Sequence, residues 1–120
     1  MEKIIVYGIP NCDTIKKTLD WFKKNKMPII FHDYKNEGIK KDKLTVWCKQ
    51  VGWQLLLNKK STTWRMLPAE DQRKIINQAA AIQIMIEQTS IIKRPIIEYG
   101  SHLLVGFDEK LFNQTFGKTG

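Results

Sequence analysis

Ile4-Ile5-Val6-Tyr7-Gly8-Ile9-Pro10-Asn11-Cys12-Asp13-Thr14-Ile15-Lys16-Lys17 is the stretch that decides the fold. Its β-branched opening, Ile4 to Tyr7, reads as a buried strand. Gly8, Pro10 and Asn11 close it with a turn. A helical period follows, with Ile15, Leu19 and Phe22 at i, i+4 and i+7 and Lys16, Lys17 and Lys23 between them. Asn11 is a good N-cap residue type, and Pro28 ends the segment. Pro28 leads into Ile29-Ile30-Phe31-His32-Asp33-Tyr34, a second strand. Strand, helix, strand over this length predicts a parallel pair joined by a right-handed crossover.

Outward from that unit the pattern turns helical. Asn36-Glu37-Gly38 reads as a turn, and Lys40 to Val51 as a helix with Leu44, Trp47, Cys48 and Val51 on one face and Gly52 as its stop. Leu55-Leu56-Leu57 precedes the polar run Asn58-Lys59-Lys60-Ser61-Thr62-Thr63, whose end suits the cap of a short turn carrying Trp64. Pro68 to Glu87 reads as helix in two pieces, opened by Pro68, Glu70 and Asp71, with Ile82, Met85 and Ile86 as the later apolar side. The last third changes character. Arg94-Pro95 precedes a strand at Ile96 to Tyr99, Gly100-Ser101 is a hairpin signal, and His102 to Gly106 is the return strand. Asp108 caps a final helix containing Leu111 and Phe116, and residues 117–120 read as a frayed end. This order predicts an α/β thioredoxin-like fold: a mixed four-stranded sheet flanked by helices, residues 1–120 as a single domain, with a helical insertion at about 40–90.

Bulk properties narrow the function classes. A chain of 120 residues fits one domain. The net charge of +8 is carried by lysines scattered over helices, without the interleaved aromatics of a nucleic-acid surface. No direct nucleic-acid partner is expected. Cys12 and Cys48 are the only cysteines and form no C-x-x-C pair; with His32 and His102 they show no zinc-site spacing, so no metal is expected. Lone cysteines fit a reducing, cytoplasmic setting. No apolar run approaches the ~20 residues of a membrane helix.

Cys12 is the candidate for chemistry. It lies where the first strand hands over to the first helix. Free backbone N–H groups and the helix dipole favour an anion there, and the thiolate is the reactive form of cysteine. Lys16 and Lys17 add positive charge one turn on, whereas Asp13 opposes a thiolate. The alternative is a small buried residue packed in a tight turn. Arg94-Pro95 bears on the choice. In this arrangement the dipeptide faces the Cys12 turn, a cis Pro95 fixes its backbone, and Arg94 is placed to pair with a thiolate or a bound anion. The plainer readings are a surface salt bridge for Arg94 and a strand-start proline for Pro95. With no C-x-x-C partner, a covalent intermediate on Cys12 needs an outside thiol to resolve it. Cys48, between Trp47 and Val51 on an apolar face, reads as core. His32 and His102 read as structural or solvent-facing, and Trp47, Trp53 and Trp64 as walls of the insertion.

These stretches resemble the arsenate reductase (ArsC) family, most of all its Spx/YffB-like branch. The similarity rests on Tyr7 to Thr14 with Lys16-Lys17, on Phe31-His32-Asp33-Tyr34, on Gly52-Trp53, on Leu56-Leu57-Asn58-Lys59-Lys60-Ser61-Thr62-Thr63-Trp64-Arg65 and on Arg94-Pro95-Ile96. It implies a nucleophilic Cys12, an anion-facing Arg94 with Lys60 and Asn11 near the same anion, and glutathione as a co-substrate rather than a bound cofactor, held by Arg94 and Pro95. Lys60 stands where glutathione-linked arsenate reductases carry an arginine, and Phe107 follows Gly106 where they carry another. Lysine keeps the charge without the planar fork, and phenylalanine drops it. The resemblance therefore implies a glutathione-dependent thiol reductase acting on an oxyanion or a disulfide. A rival reading from the same branch is an Spx-like regulatory module that binds RNA polymerase through Gly52-Trp53 and a basic surface. Ile15 fills the position where those regulators often place a second cysteine.

Overall fold

The computed structural model describes residues 2–117. Strand β1 (Ile4–Gly8) sits near the centre of a four-stranded sheet of order β2-β1-β3-β4. β2 (Ile30–Asp33) runs parallel to it, with Tyr7 opposite His32 and Gly8 opposite Asp33. β3 (Ile96–Tyr99) is antiparallel on the other side, with Tyr7 opposite Ile96, and β4 (His102–Val105) completes a hairpin with β3. The mixed sheet with flanking helices is the thioredoxin-like arrangement that the element order predicts. A parallel neighbour on one side and an antiparallel one on the other leave the end of β1, the start of β3 and the end of β2 at one rim.

Alternation along β1 sends side chains to two cores. Ile4 and Val6 pack with Trp21, Phe22, Ile97, Leu104 and Phe112, under α1 (Asp13–Lys24) and α8 (Glu109–Phe116). Tyr7 and Ile96 face the opposite core, which holds Tyr34, Leu44, Trp47, Leu56, Met85, Ile91 and Ile92. That second core is covered by the helical block: α2 (Tyr34–Glu37), α3 (Lys41–Val51), α4 (Trp53–Leu56), α5 (Thr62–Met66), α6 (Ala69–Arg73) and α7 (Gln78–Glu87), closed by a 3-10 turn at Thr89–Ile91. A partly buried polar knot joins this block to the sheet. Glu98 of β3 accepts from the Tyr7 hydroxyl (2.6 Å) and Trp47 Nε1 (2.8 Å), and Lys43 Nζ lies 3.2 Å away.

Several boundaries differ from the sequence reading, each for a local reason. Asn11 does not cap α1. It takes a left-handed φ of 62°, which asparagine tolerates, and Cys12 in extended conformation becomes the N-cap. α1 stops at Lys24, ahead of Pro28, because Asn25 and Lys26 turn back on it through bonds to Trp21 and Lys23 carbonyls. Tyr34 leaves the strand register: the Asp33 carboxylate accepts from Lys35 N at 2.9 Å and starts α2, so the expected turn at Asn36 is the end of a helical turn. In α8 the buried residue is Phe112, while Leu111 is exposed. Asp108 caps α8 as expected, through Leu111 N at 3.1 Å. Of the expected frayed end, residues 118–120 lie outside the described residues, and Gly117 is a left-handed C-cap. Among the described residues no helix is long and apolar enough to cross a membrane.

Candidate active site around Cys12

The site begins with a glycine. A Cβ on Gly8 would lie 2.3 Å from Ile15 Cδ1 and 2.9 Å from its Cγ1, so the bare backbone lets the first turn of α1 settle against the end of β1. The chain crosses Pro10, reverses at Asn11 and enters α1 at Cys12. The Cys12 carbonyl accepts from Lys16 N at 2.9 Å, but the side chain makes no capping hydrogen bond. The thiol is therefore held at a twelve-residue helix N-terminus without being committed to it. Cys12 is partly exposed and lines a cavity of about 430 Å³. Ile15, Leu19 and Phe31 make the apolar side of this cavity, while Asn11, Lys16 and the carboxylates Asp13 and Asp20 make its polar side.

Arg94 and Pro95 reach the same rim of the sheet from the far side of β1. Ile96 is opposite Tyr7, so the two residues before it continue past the end of β1. The Arg94–Pro95 bond is cis. Pro95 is buried, and its carbonyl accepts from Gly106 N at 2.8 Å, which extends the β3–β4 ladder by one bond. Proline has no N–H, so Pro95 offers a ligand shape rather than a donor. Arg94 is half-buried and does not line the Cys12 cavity. Its Nη1 donates to the Ser90 carbonyl at 3.0 Å. Its charge is also felt at the Tyr34 hydroxyl, whose pKa burial pushes well up and Arg94 only partly lowers.

Lys60 is exposed on the loop before α5, away from the Cys12 cavity lining, with its backbone N–H donated to Asn58 Oδ1 at 3.1 Å. The structure thus brings Asn11 and Cys12 together, puts Arg94-Pro95 at the adjoining strand end, and carries Lys60 on a loop tied to the Arg94 segment. That tie consists of Asn58 N to Ile91 O and Lys93 N to Leu56 O, both 2.8 Å, with a Leu57–Ile92 bridge between them. Sequence reasoning missed the side-chain half of it, a Thr63–Ser90 hydroxyl pair. Both residues lie on short segments whose pairing only the fold discloses.

None of the remaining candidates lines the Cys12 cavity. Cys48 is buried in the insertion core, and that burial pushes its thiol up. His32 Nε2 lies 2.7 Å from the Gly38 carbonyl, with its ring 4.8 Å from that of Tyr7. His102 is exposed against Tyr99. Phe107 packs edge-on to Phe112 at 5.3 Å, so the position that lacks the second arginine serves a core instead. Trp47 and Trp64 are buried, and Trp53 packs against the same core. Among the described residues no three His, Cys, Asp or Glu side chains gather as a metal site.

Known proteins share both this chain and this shape. The sequence matches the ArsC family over residues 7–115. An uncharacterized protein of Haemophilus influenzae is 41% identical over 113 residues, 94% of this chain and 98% of its own. The solved structure of the YffB (PA3664) protein superposes with a TM-score of 0.88 at 40% identity, covering 93% of this chain and 97% of that one. An arsenate reductase (ArsC) related protein from Brucella melitensis gives a TM-score of 0.75 at 38% identity, over 95% and 94% of the two chains. With a thiol at the first helix, an arginine–cis-proline pair at the adjoining strand and a family match across nearly its whole length, the chain belongs to the ArsC family and is arsenate reductase-like.

Proposed function

We propose that this protein is a glutathione-dependent thiol reductase in which Cys12 is the single nucleophile. The observation that carries the reading is the uncommitted, partly exposed Cys12 thiol at the start of α1, above an open cavity, while the other thiol, Cys48, is buried in a separate core. The electrophile is an oxyanion or a disulfide. For a glutathionyl disulfide the chemistry closes as follows. The Cys12 thiolate attacks the glutathione sulfur, a new S–S bond forms, and the substrate leaves as thiolate and takes a proton. A second glutathione thiolate then attacks the Cys12 mixed disulfide, forming oxidised glutathione and returning the Cys12 thiolate. The net change turns the glutathionyl disulfide and one free glutathione thiol into the substrate thiol and oxidised glutathione, so that free thiol is the reductant. Arg94 and Lys60 are the cations that would receive glutathione's carboxylates, and their segments are stitched together. Asn11 and Lys16 border the reacting sulfur.

Intact mass after incubation with oxidised glutathione tests this reading. The expected result is a single adduct, mapped to Cys12 and absent from Cys12→Ser. No adduct, or an adduct on Cys48, overturns it. The alternative of a polymerase-binding module gains nothing from Gly52-Trp53, because Trp53 packs against the insertion core.

A further inference from the structure

The half-buried Arg94 is anchored without a carboxylate partner. Its partner is a neutral carbonyl, that of Ser90, at 3.0 Å. Among the described residues the ion pairs are His32–Glu37 and Lys43–Glu98, and neither involves Arg94. A carboxylate partner would orient the group and cancel its charge together. A carbonyl orients it through one of five donors and leaves the charge and the other donors for an outside anion. The direction of the guanidinium then depends on where the Ser90 carbonyl stands.

Ser90 belongs to the short 3-10 turn Thr89–Ile91, whose backbone bonds run to its neighbours rather than to the Ser90 carbonyl. Its hydroxyl is paired with that of Thr63 in the first turn of α5. α5 is itself fixed at its start by Ser61, whose Oγ accepts from Trp64 N at 3.1 Å. Backbone bonds flanking the pair tie Asn58 to Ile91 and Leu56 to Lys93. The side-chain pair is the link that reaches Ser90 itself.

We propose that Thr63 is a positioning residue for Arg94: through its hydroxyl bond to Ser90 it holds the carbonyl that aims the Arg94 guanidinium at the Cys12 rim. This gives the helical insertion a task at the site, because Thr63 comes from the insertion and Arg94 from the strand segment. The inference rests on the reading of Arg94 as the anion-facing group for Cys12.

The experiment measures the alkylation rate of Cys12 in the full chain with two reagents, anionic iodoacetate and neutral iodoacetamide, read by peptide mass. Both place the same carbon on the same sulfur and release iodide, so their rate ratio reports positive charge near the thiol. Arg94→Gln sets the value without the guanidinium. In Thr63→Val, which keeps the shape and loses the hydroxyl, the ratio is expected to fall about threefold towards the Arg94→Gln value. Thr63→Ser restores it. Ser90→Ala, which removes the other hydroxyl and keeps the carbonyl, reproduces the fall and serves if Thr63→Val does not fold. A ratio unchanged in both hydroxyl-deletion variants, with Arg94→Gln still lowering it, overturns the role of Thr63 and leaves the proposed function standing. A ratio unchanged by Arg94→Gln removes the reading on which both rest.

Discussion

At the residue scale, the site depends on a side chain that is missing. Gly8 is buried under Ile15, and Ile15 is both a core residue and a wall of the Cys12 cavity. Adding one methyl there forces the Ile15 side chain to move, the kind of overpacking that costs about 1–3 kcal/mol. Gly8→Ala is therefore expected to lower the unfolding free energy by that amount in urea denaturation and to change the rate of Cys12 alkylation, because Ile15 walls the cavity beside the thiol. A variant as stable as the wild type, with unaltered Cys12 reactivity, would refute the close approach. Cys12 itself was legible in the sequence, since a cysteine between a strand and a helix is visible without coordinates. Its role as N-cap was not. Asn11 is the better capping type, and only its left-handed backbone hands the cap to the next residue.

Among the elements, those with a strong period or punctuation were readable: β1, α1, α3 and the β3–β4 hairpin lie within a residue or a few of their sequence expectation. The short ones were not. α2 spans the expected strand end and turn and is made by a local Asp33 cap, and α4 is a single turn within a leucine run. α2, like α5, follows from hydrogen bonds to one side chain rather than from a pattern. Ser61 gives a direct measure of one of these bonds. It is buried, it caps α5, and α5 carries Trp64 and Thr63. Ser61→Ala removes the acceptor and leaves the Trp64 N–H unpaired in a dry place, which costs about 1–2 kcal/mol. Urea denaturation is expected to show that loss at an unchanged m-value. Equal stability of Ser61→Ala and wild type would mean that packing, not the cap, starts this helix.

For the molecule as a whole, the question is what keeps the helical block registered on the sheet, since Arg94 and the Lys60 loop are positioned by it. The Glu98 carboxylate is the polar answer. It sits on β3, takes the Tyr7 hydroxyl from β1, and takes Trp47 and Lys43 from α3. Burial alone would raise its pKa, but the hydrogen bonds from Tyr7, Trp47 and Lys43 and the Lys43 charge outweigh that and hold it below the ordinary glutamate value. The folded state then binds fewer protons than the unfolded chain between the two values. Its stabilisation is complete above the unfolded pKa of about 4.3 and is lost as pH falls through the lower, folded value. Glu98→Gln keeps the shape and removes the charge, so it is expected to cost about 1–3 kcal/mol at neutral pH. Below the folded value, where wild-type Glu98 is itself protonated, the two proteins should converge. Charge repulsion from the net +8 acts on both proteins, so the difference between them isolates Glu98. Thermal melts from pH 7 to pH 3 decide it: a gap that closes on acidification supports the carboxylate clamp, and a gap constant across the range assigns the loss to packing alone.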